Sequence, residues 1–278
     1  MDKYIVITGV STGIGQGLAH HFLSKGYKVI GTIRKEGDAT DLHFIPGFIP
    51  ILYDVNDKPG IDAFVLKVKQ AIGSTPLFAL INNAGIAIAG PMELLPDEEF
   101  ERLIDTNVLA IRRITNALLP LMSEGSRILN LSSVSGLFSS PFTGAYCISK
   151  HALESMTDVY RRELASFGIK VMAIEPGPIK TPIWNKSKGT LDRFLDSRYG
   201  AMLKNADKII ENAERSGLPV SEVCWAAEHA LESKSPKTRY LIHRKKFLFR
   251  LVSGWLPDTW ADALVARTMR GGEKHRAF

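Results

Sequence analysis

Tyr146 and Lys150 stand four residues apart in the stretch YCISK (146–150), with Cys147 beside the tyrosine. On a helix this spacing puts both side chains on one face. A phenol with a pKa of ~10 must lose about two to three units to exchange protons near neutrality, a cost of roughly 3 to 4 kcal/mol. One ammonium at ~4 Å, in an effective dielectric of ~20, supplies about 4 kcal/mol. Lys150 therefore has the magnitude to lower the tyrosine pKa and make the pair a proton donor and acceptor for an oxygen. Cys147 reads as a small packing residue.

A second chemical signal is TGVSTGIG (8–15), between an apolar run and a helical pattern. Gly9 permits a tight turn, Gly13 lets the backbone approach a pyrophosphate, and Gly15 lets a helix sit close to a sheet with its N-terminus towards an anion. Ser11, Thr12 and Ile14 belong to the same cradle. The next apolar run ends in GTIRKEG, where an NAD site carries an acid for the ribose 2′-hydroxyl. Ile33 takes that place and Arg34 follows, so a guanidinium awaits the 2′-phosphate of NADP(H), with hydroxyl contacts from Ser11 and Thr32.

These residues need a frame. Short apolar runs at 4–8, 28–33, 48–54, 77–83, 127–133, 170–176 and 239–243 alternate with helix-length segments. The runs are nearly continuous in apolar residues, as in a sheet covered on both faces. The expectation is a single-domain α/β Rossmann fold over 1–278, a doubly wound, mostly parallel sheet of seven strands. The irregular stretch 177–200 follows the sixth strand at the ligand-binding edge and reads as a substrate loop.

Composition narrows the class. The 278 residues carry a formal net charge of +6, but the basic residues are spread along the chain and form no nucleic-acid stripe. The two cysteines, Cys147 and Cys224, lie outside any metal-ligand spacing and fit a reduced compartment. No metal is expected. The chain enters its first apolar run after three residues and contains no uncharged apolar stretch near ~18 residues, so a cytoplasmic protein without a transmembrane segment is expected.

With NNAG at 82–85, Asn107, Ser133 and YCISK added in order, the chain resembles the short-chain dehydrogenases/reductases from residue 4 to about 181. The resemblance implies an oxidoreductase interconverting a carbonyl and an alcohol. Ser133 would hydrogen-bond the substrate oxygen, in preference to its neighbour Ser132, and Tyr146 would protonate it. Lys150 would bind the nicotinamide ribose and lower the tyrosine pKa, and Asn107 would hold a water in the proton relay. Asp54 and Val55 resemble the adenine pair, and Asn83, Ala84 and Gly85 the turn beside the adenine ribose. Pro176, Gly177, Ile179 and Thr181 resemble the segment that anchors the carboxamide.

The tail from PKTRY (236–240) onwards resembles the retinol and 17β-hydroxysteroid dehydrogenase-like branch, which implies a lipophilic substrate such as a steroid, retinoid or lipid. For the extension 244–278, three readings stay open: core packing, peripheral membrane contact and a pocket cover or subunit contact. By resemblance the helices bearing Asn107 and Tyr146 pair in a homodimer or homotetramer. The alternatives are a catalytically idle NADPH sensor, which would lack the serine, tyrosine or lysine, and an NAD-preferring alcohol dehydrogenase of the same family.

Overall fold

The computed structural model describes residues 2–181, 190–203 and 215–269, with only the backbone of Val252 and Thr268. The seven apolar runs form β1 (Tyr4–Ile7), β2 (Lys28–Ile33), β3 (Phe48–Leu52), β4 (Ala79–Asn82), β5 (Arg127–Leu131), β6 (Lys170–Pro176) and β7 (Arg239–Ile242). They make one sheet in the order β3-β2-β1-β4-β5-β6-β7. Every pairing is parallel, because each connection is long enough to cross over rather than turn back. The expected mostly parallel sheet is thus wholly parallel.

The helices of eight residues or more are α1 (Gly13–Ser24), α2 (Ile61–Ile72), α3 (Asp97–Ile104), α4 (Ala110–Leu118), α5 (Gly144–Glu163), α6 (Val220–Glu232), α7 (Lys246–Gly254) and α8 (Asp258–Met269). Alternation along β1 shows how the two layers are sorted. Ile5 and Ile7 pack with Leu18 and Phe22 of α1 and Ala227 and Leu231 of α6, whereas Val6 packs with Phe64 and Val68 of α2 and Ile114 of α4. The chain order reverses at β1 and β4, so their carboxyl ends open the crevice in which such sheets bind ligands.

The centre of the sheet is not purely apolar. Asn82 of β4 donates from Nδ2 to Thr115 Oγ1 of α4 at 3.1 Å and to Asn130 Oδ1 of β5 at 2.9 Å. Asn130 Nδ2 continues to Thr157 Oγ1 of α5 at 2.9 Å, and Thr157 donates to the Leu153 carbonyl at 2.7 Å. All four side chains are buried, so this chain staples α4 and α5, on one face of the sheet, to two adjacent strands through bonds that water cannot replace. Among the described residues no helix is long and apolar enough to cross a membrane.

Asn130→Ala strands the Asn82 donor and the Thr157 acceptor. At about 1 to 3 kcal/mol for each buried unsatisfied group, the expected loss is roughly 2 to 4 kcal/mol, read as a lowered midpoint in urea unfolding at unchanged slope. A loss under about 0.5 kcal/mol would mean that the ladder is dispensable.

Candidate active site

The glycine-rich turn between β1 and α1 is built as a cradle. Gly9 and Gly13 take left-handed backbone angles, φ +70 and +64. A Cβ on Gly15 would lie 2.2 Å from the Gly9 carbonyl oxygen and 2.4 Å from Asn83 Nδ2, so no side chain fits there. Asn83 Nδ2 donates to the carbonyls of Thr8 and Gly9, at 2.8 and 2.9 Å, which locks the turn to the end of β4. Thr8 Oγ1 in turn accepts the Asn83 and Ala84 N–H groups, both at 2.9 Å. Thr8 is a positioning residue that the sequence reading passed over, although it is the first letter of the motif's TG.

Thr12 precedes α1 in extended conformation and makes no side-chain cap bond, so the opening amides of the helix keep their donors for a ligand. A cradle closed to side chains in front of a helix N-terminus fits the pyrophosphate of a nicotinamide dinucleotide. The two hydroxyls assigned to the 2′-phosphate have other partners. Thr32 is buried and its Oγ1 accepts the Gly9 N–H at 2.8 Å, so it shapes the turn instead of meeting a phosphate. Ser11 Oγ donates to Asp38 Oδ2 at 3.1 Å. Ile33 is buried and Arg34 is exposed at the strand end.

Of the two residues expected at adenine, Asp54 is exposed and accepts the Asn56 N–H at 2.9 Å, while Val55 is buried. A Cβ on Gly85 would stand 3.2 Å from Asn107 Oδ1, so the turn at 83–85 lies against Asn107. Asn107 itself is not in a continuous helix, as its sequence context suggests. Residues Asp105–Leu109 form a π turn between α3 and α4, a widened stretch typical of functional sites. Its buried amide donates to the Ile86 carbonyl at 2.8 Å and Ser149 Oγ at 3.0 Å and accepts the Ile86 N–H at 2.9 Å. The amide is thus a clamp between α5 and the loop after β4.

Ser133 follows β5 and Tyr146 and Lys150 lie on α5, all three under 10% exposed. The Ser133 hydroxyl accepts the Ser135 N–H at 3.1 Å, donates to the Pro176 carbonyl at 3.4 Å, and hydrogen-bonds Tyr146. Lys150 Nζ donates to the Leu131 carbonyl at 2.7 Å and stands 5.6 Å from the centre of the tyrosine ring.

The electrostatic balance corrects the sequence expectation. Burial pushes the Tyr146 phenol up to about 12, although the Ser133 hydrogen bond pulls the other way. Burial also brings Lys150 down to about 8, opposed by the charge of Glu154. Desolvation disfavours both charged forms and is the largest cause of each shift.

Behind Lys150 lies an ion cluster absent from the sequence reading. Arg239 of β7 bonds Glu154 through Nε and Asp158 Oδ1 through Nη2 at 2.9 Å, and its Nε is 3.5 Å from Glu175 Oε1. Burial first, and then the Glu154 charge, raises Glu175 to about 7 against the pull of Arg239 and Arg250. Its letters were visible in KHALESMTD, IEP and TRY, but only the fold brings them together.

On the substrate side, Pro176 ends β6 and Gly177 donates to the Ile242 carbonyl at 2.8 Å. Ile179 pairs with Leu218, and Thr181 Oγ1 contacts the Ile179 carbonyl at 3.5 Å. Of the loop 177–200, residues 182–189 lie outside the described residues. Its later part packs Leu191 and Phe194 with Ala89 and Leu203, beside Phe142 and Tyr199, and Arg193 grips Glu99 at 2.6 and 2.7 Å. Helices α7 and α8 carry the described part of the extension, and a groove of about 510 Å³ lies between them and residues 137–141, which follow Ser133. Among the described residues no cluster of metal-ligating side chains occurs.

The profile of short chain dehydrogenases matches residues 3–192. The chain is 36% identical over 276 residues to the NADPH-dependent 3-dehydrocapnine reductase of Ornithobacterium rhinotracheale, covering 96% of this chain and 98% of that protein. It is 33% identical over 280 residues to retinol dehydrogenase 16 of Homo sapiens, covering 95% and 88% respectively. A short-chain dehydrogenase from Streptomyces avermitilis superposes with a TM-score of 0.76 at 26% identity, over 99% of each chain. NADP-bound ElxO does so with a TM-score of 0.71 at 26% identity, over 87% of this chain and 97% of the other.

Gly15→Ala should distort the cradle against a backbone oxygen that cannot move aside. The expected outcome is at least a tenfold loss of NADPH affinity by fluorescence titration, with the folded state retained in circular dichroism. Unchanged affinity would show that the dinucleotide does not use this turn.

Proposed function

The chain belongs to the short-chain dehydrogenase family, and from that premise we propose that it is an NADP(H)-dependent oxidoreductase interconverting a carbonyl and an alcohol on a lipophilic substrate. The observation that carries this reading is the buried group of Ser133, Tyr146 and Lys150. An idle sensor of NADPH has no use for all three. NADP(H), when bound, supplies the hydride in reduction and accepts it in oxidation.

The residues of the chain handle the oxygen and its proton. The Ser133 hydroxyl turns from the Pro176 carbonyl to donate to the substrate oxygen. Tyr146 gives its phenolic proton to that same oxygen as negative charge develops there, and one hydride plus one proton completes the alcohol. A phenol at about 12 is fully protonated at neutral pH. It is still roughly four units more acidic than water, which an alcohol resembles, so the transfer runs downhill. Lys150 holds the ribose hydroxyls and places a positive charge beneath the phenol. Asn107 fixes α5 against the loop after β4, which keeps this geometry while substrates exchange.

Arg34 and the apolar Ile33 support the phosphorylated cofactor, as does the relative whose name states NADPH dependence. The apolar cover of Leu191, Phe194, Phe142 and Tyr199 supports a lipophilic substrate, in line with relatives named for retinol. Exposed Leu109, Ile148 and Val159, on the π turn and α5, support pairing of copies through the segments that bear Asn107 and Tyr146.

The test is a screen of ketones of graded size with purified protein, followed at the nicotinamide absorbance. NADPH should exceed NADH in kcat/KM by about ten- to a hundredfold, from charge-assisted contacts of roughly 1.5 to 3 kcal/mol. Tyr146→Phe should lower turnover at least ~100-fold while NADPH binding stays within about threefold. Turnover of the Phe variant at the wild-type rate would remove Tyr146 as the acid, NADPH binding without turnover of any ketone would favour the idle sensor, and an NADH preference would overturn the cofactor assignment.

A further inference from the structure

The pocket assigned to the 2′-phosphate already contains an anion. A single oxygen, Asp38 Oδ2, accepts the Ser11 hydroxyl at 3.1 Å and the backbone N–H groups of Arg34 and Lys35, each at 3.3 Å. Three donors converging on one oxygen is the pattern of a nest that binds phosphate oxygens. Two of these donors, Ser11 and Arg34, belong to the very residues that flank the adenine ribose at the ends of β1 and β2. The Arg34 and Lys35 side chains add positive charge to the same turn.

We propose that the Asp38 carboxylate is an internal stand-in for the 2′-phosphate, which NADP(H) must displace to bind, so that Asp38 sets how strongly the protein selects the phosphorylated cofactor. The inference rests on the proposed NADP(H) reading. The surroundings favour displacement of this carboxylate over a fixed structural role. Asp38 is only half-buried, and the next residue, Ala39, holds a left-handed φ of 55, which a residue with a Cβ adopts at a cost. The turn is anchored independently just beyond this point. Asp41 bonds Gln16 and His20 of α1, and Leu42 is fully buried, so residues 34–38 can release Asp38 without freeing the rest. Both anions cannot share one nest, because a carboxylate and a phosphate at hydrogen-bond distance repel strongly at a partly desolvated site.

Asp38→Asn removes the charge but keeps the shape and one acceptor oxygen for the backbone donors. Calorimetric titration of the full chain uses adenosine 2′,5′-bisphosphate and 5′-AMP, which differ only in the 2′-phosphate. The expected result is a bisphosphate affinity raised about five- to tenfold in Asp38→Asn, with 5′-AMP affinity within about twofold of wild type. Arg34→Ala should do the reverse and lose most of the bisphosphate preference. Unchanged or weaker bisphosphate binding in Asp38→Asn, while Arg34→Ala still loses the preference, would overturn the proposal and leave Asp38 as a cap of its turn. Equal binding of the two nucleotides by wild type, insensitive to Arg34→Ala, would overturn the NADP(H) reading itself. If Asp38→Asn does not fold, Asp38→Ser carries the same comparison, since its hydroxyl can accept from the turn without charge.

Discussion

A lysine ammonium inside a protein is tolerated only where its protons are accepted and an opposite charge lies near, and Lys150 meets that condition at the junction of three elements. Its Nζ donates to the carbonyl of Leu131 at the end of β5, and Glu154, one turn further along α5, supplies the countercharge. The position of α5 follows from this requirement. Arg239 of β7 then holds Glu154 and Asp158, so the far strand of the sheet braces the helix that carries the tyrosine. The buried ladder from Asn82 through Asn130 to Thr157 fixes the same helix from the centre of the sheet.

That placement makes the chemistry of Tyr146 one of burial. In water a nearby ammonium would lower a phenol, but here both groups have lost solvent and each is pushed towards its neutral form. A neutral phenol is the form that donates a proton, and the serine hydroxyl beside it can orient the accepting oxygen. On the proposed function, a neutral phenol can serve as the acid in carbonyl reduction without prior ionisation. Oxidation of an alcohol requires the phenolate and so works against the same desolvation.

Much of this was legible in the residues. All seven strands were marked by apolar runs, since a sheet covered on both faces leaves little room for polar letters. The glycine-rich turn and the pair of Tyr146 and Lys150 were marked by spacing, because local chemistry is written in adjacent positions, whereas Ser133 was marked by the family resemblance. What was not legible depends on distant segments or on the balance of opposing terms. Asp38 is one more acid in a polar turn until the fold aims it at Ser11. Thr32 looked like a phosphate ligand until the Gly9 amide claimed its oxygen. The π turn at Asn107 has no letter of its own within an otherwise helical pattern, and the Glu154, Glu175 and Arg239 cluster joins residues up to 85 positions apart. The sign of the tyrosine shift escaped because spacing reveals the attraction and only packing reveals the desolvation.

The measurement closest to the central claim is the pH dependence of kcat/KM for ketone reduction by the wild-type enzyme. Lys150 is lowered to about 8, so it is cationic below that value and neutral above it, whereas Tyr146 at about 12 stays protonated throughout. The rate should be flat from about pH 6 to 7.5 and fall above about 8, as the cation beneath the phenol is lost. A rate that instead climbed between about pH 6 and 8 would mean that reduction waits for a group to lose its proton, and would contradict a resting neutral phenol as the acid.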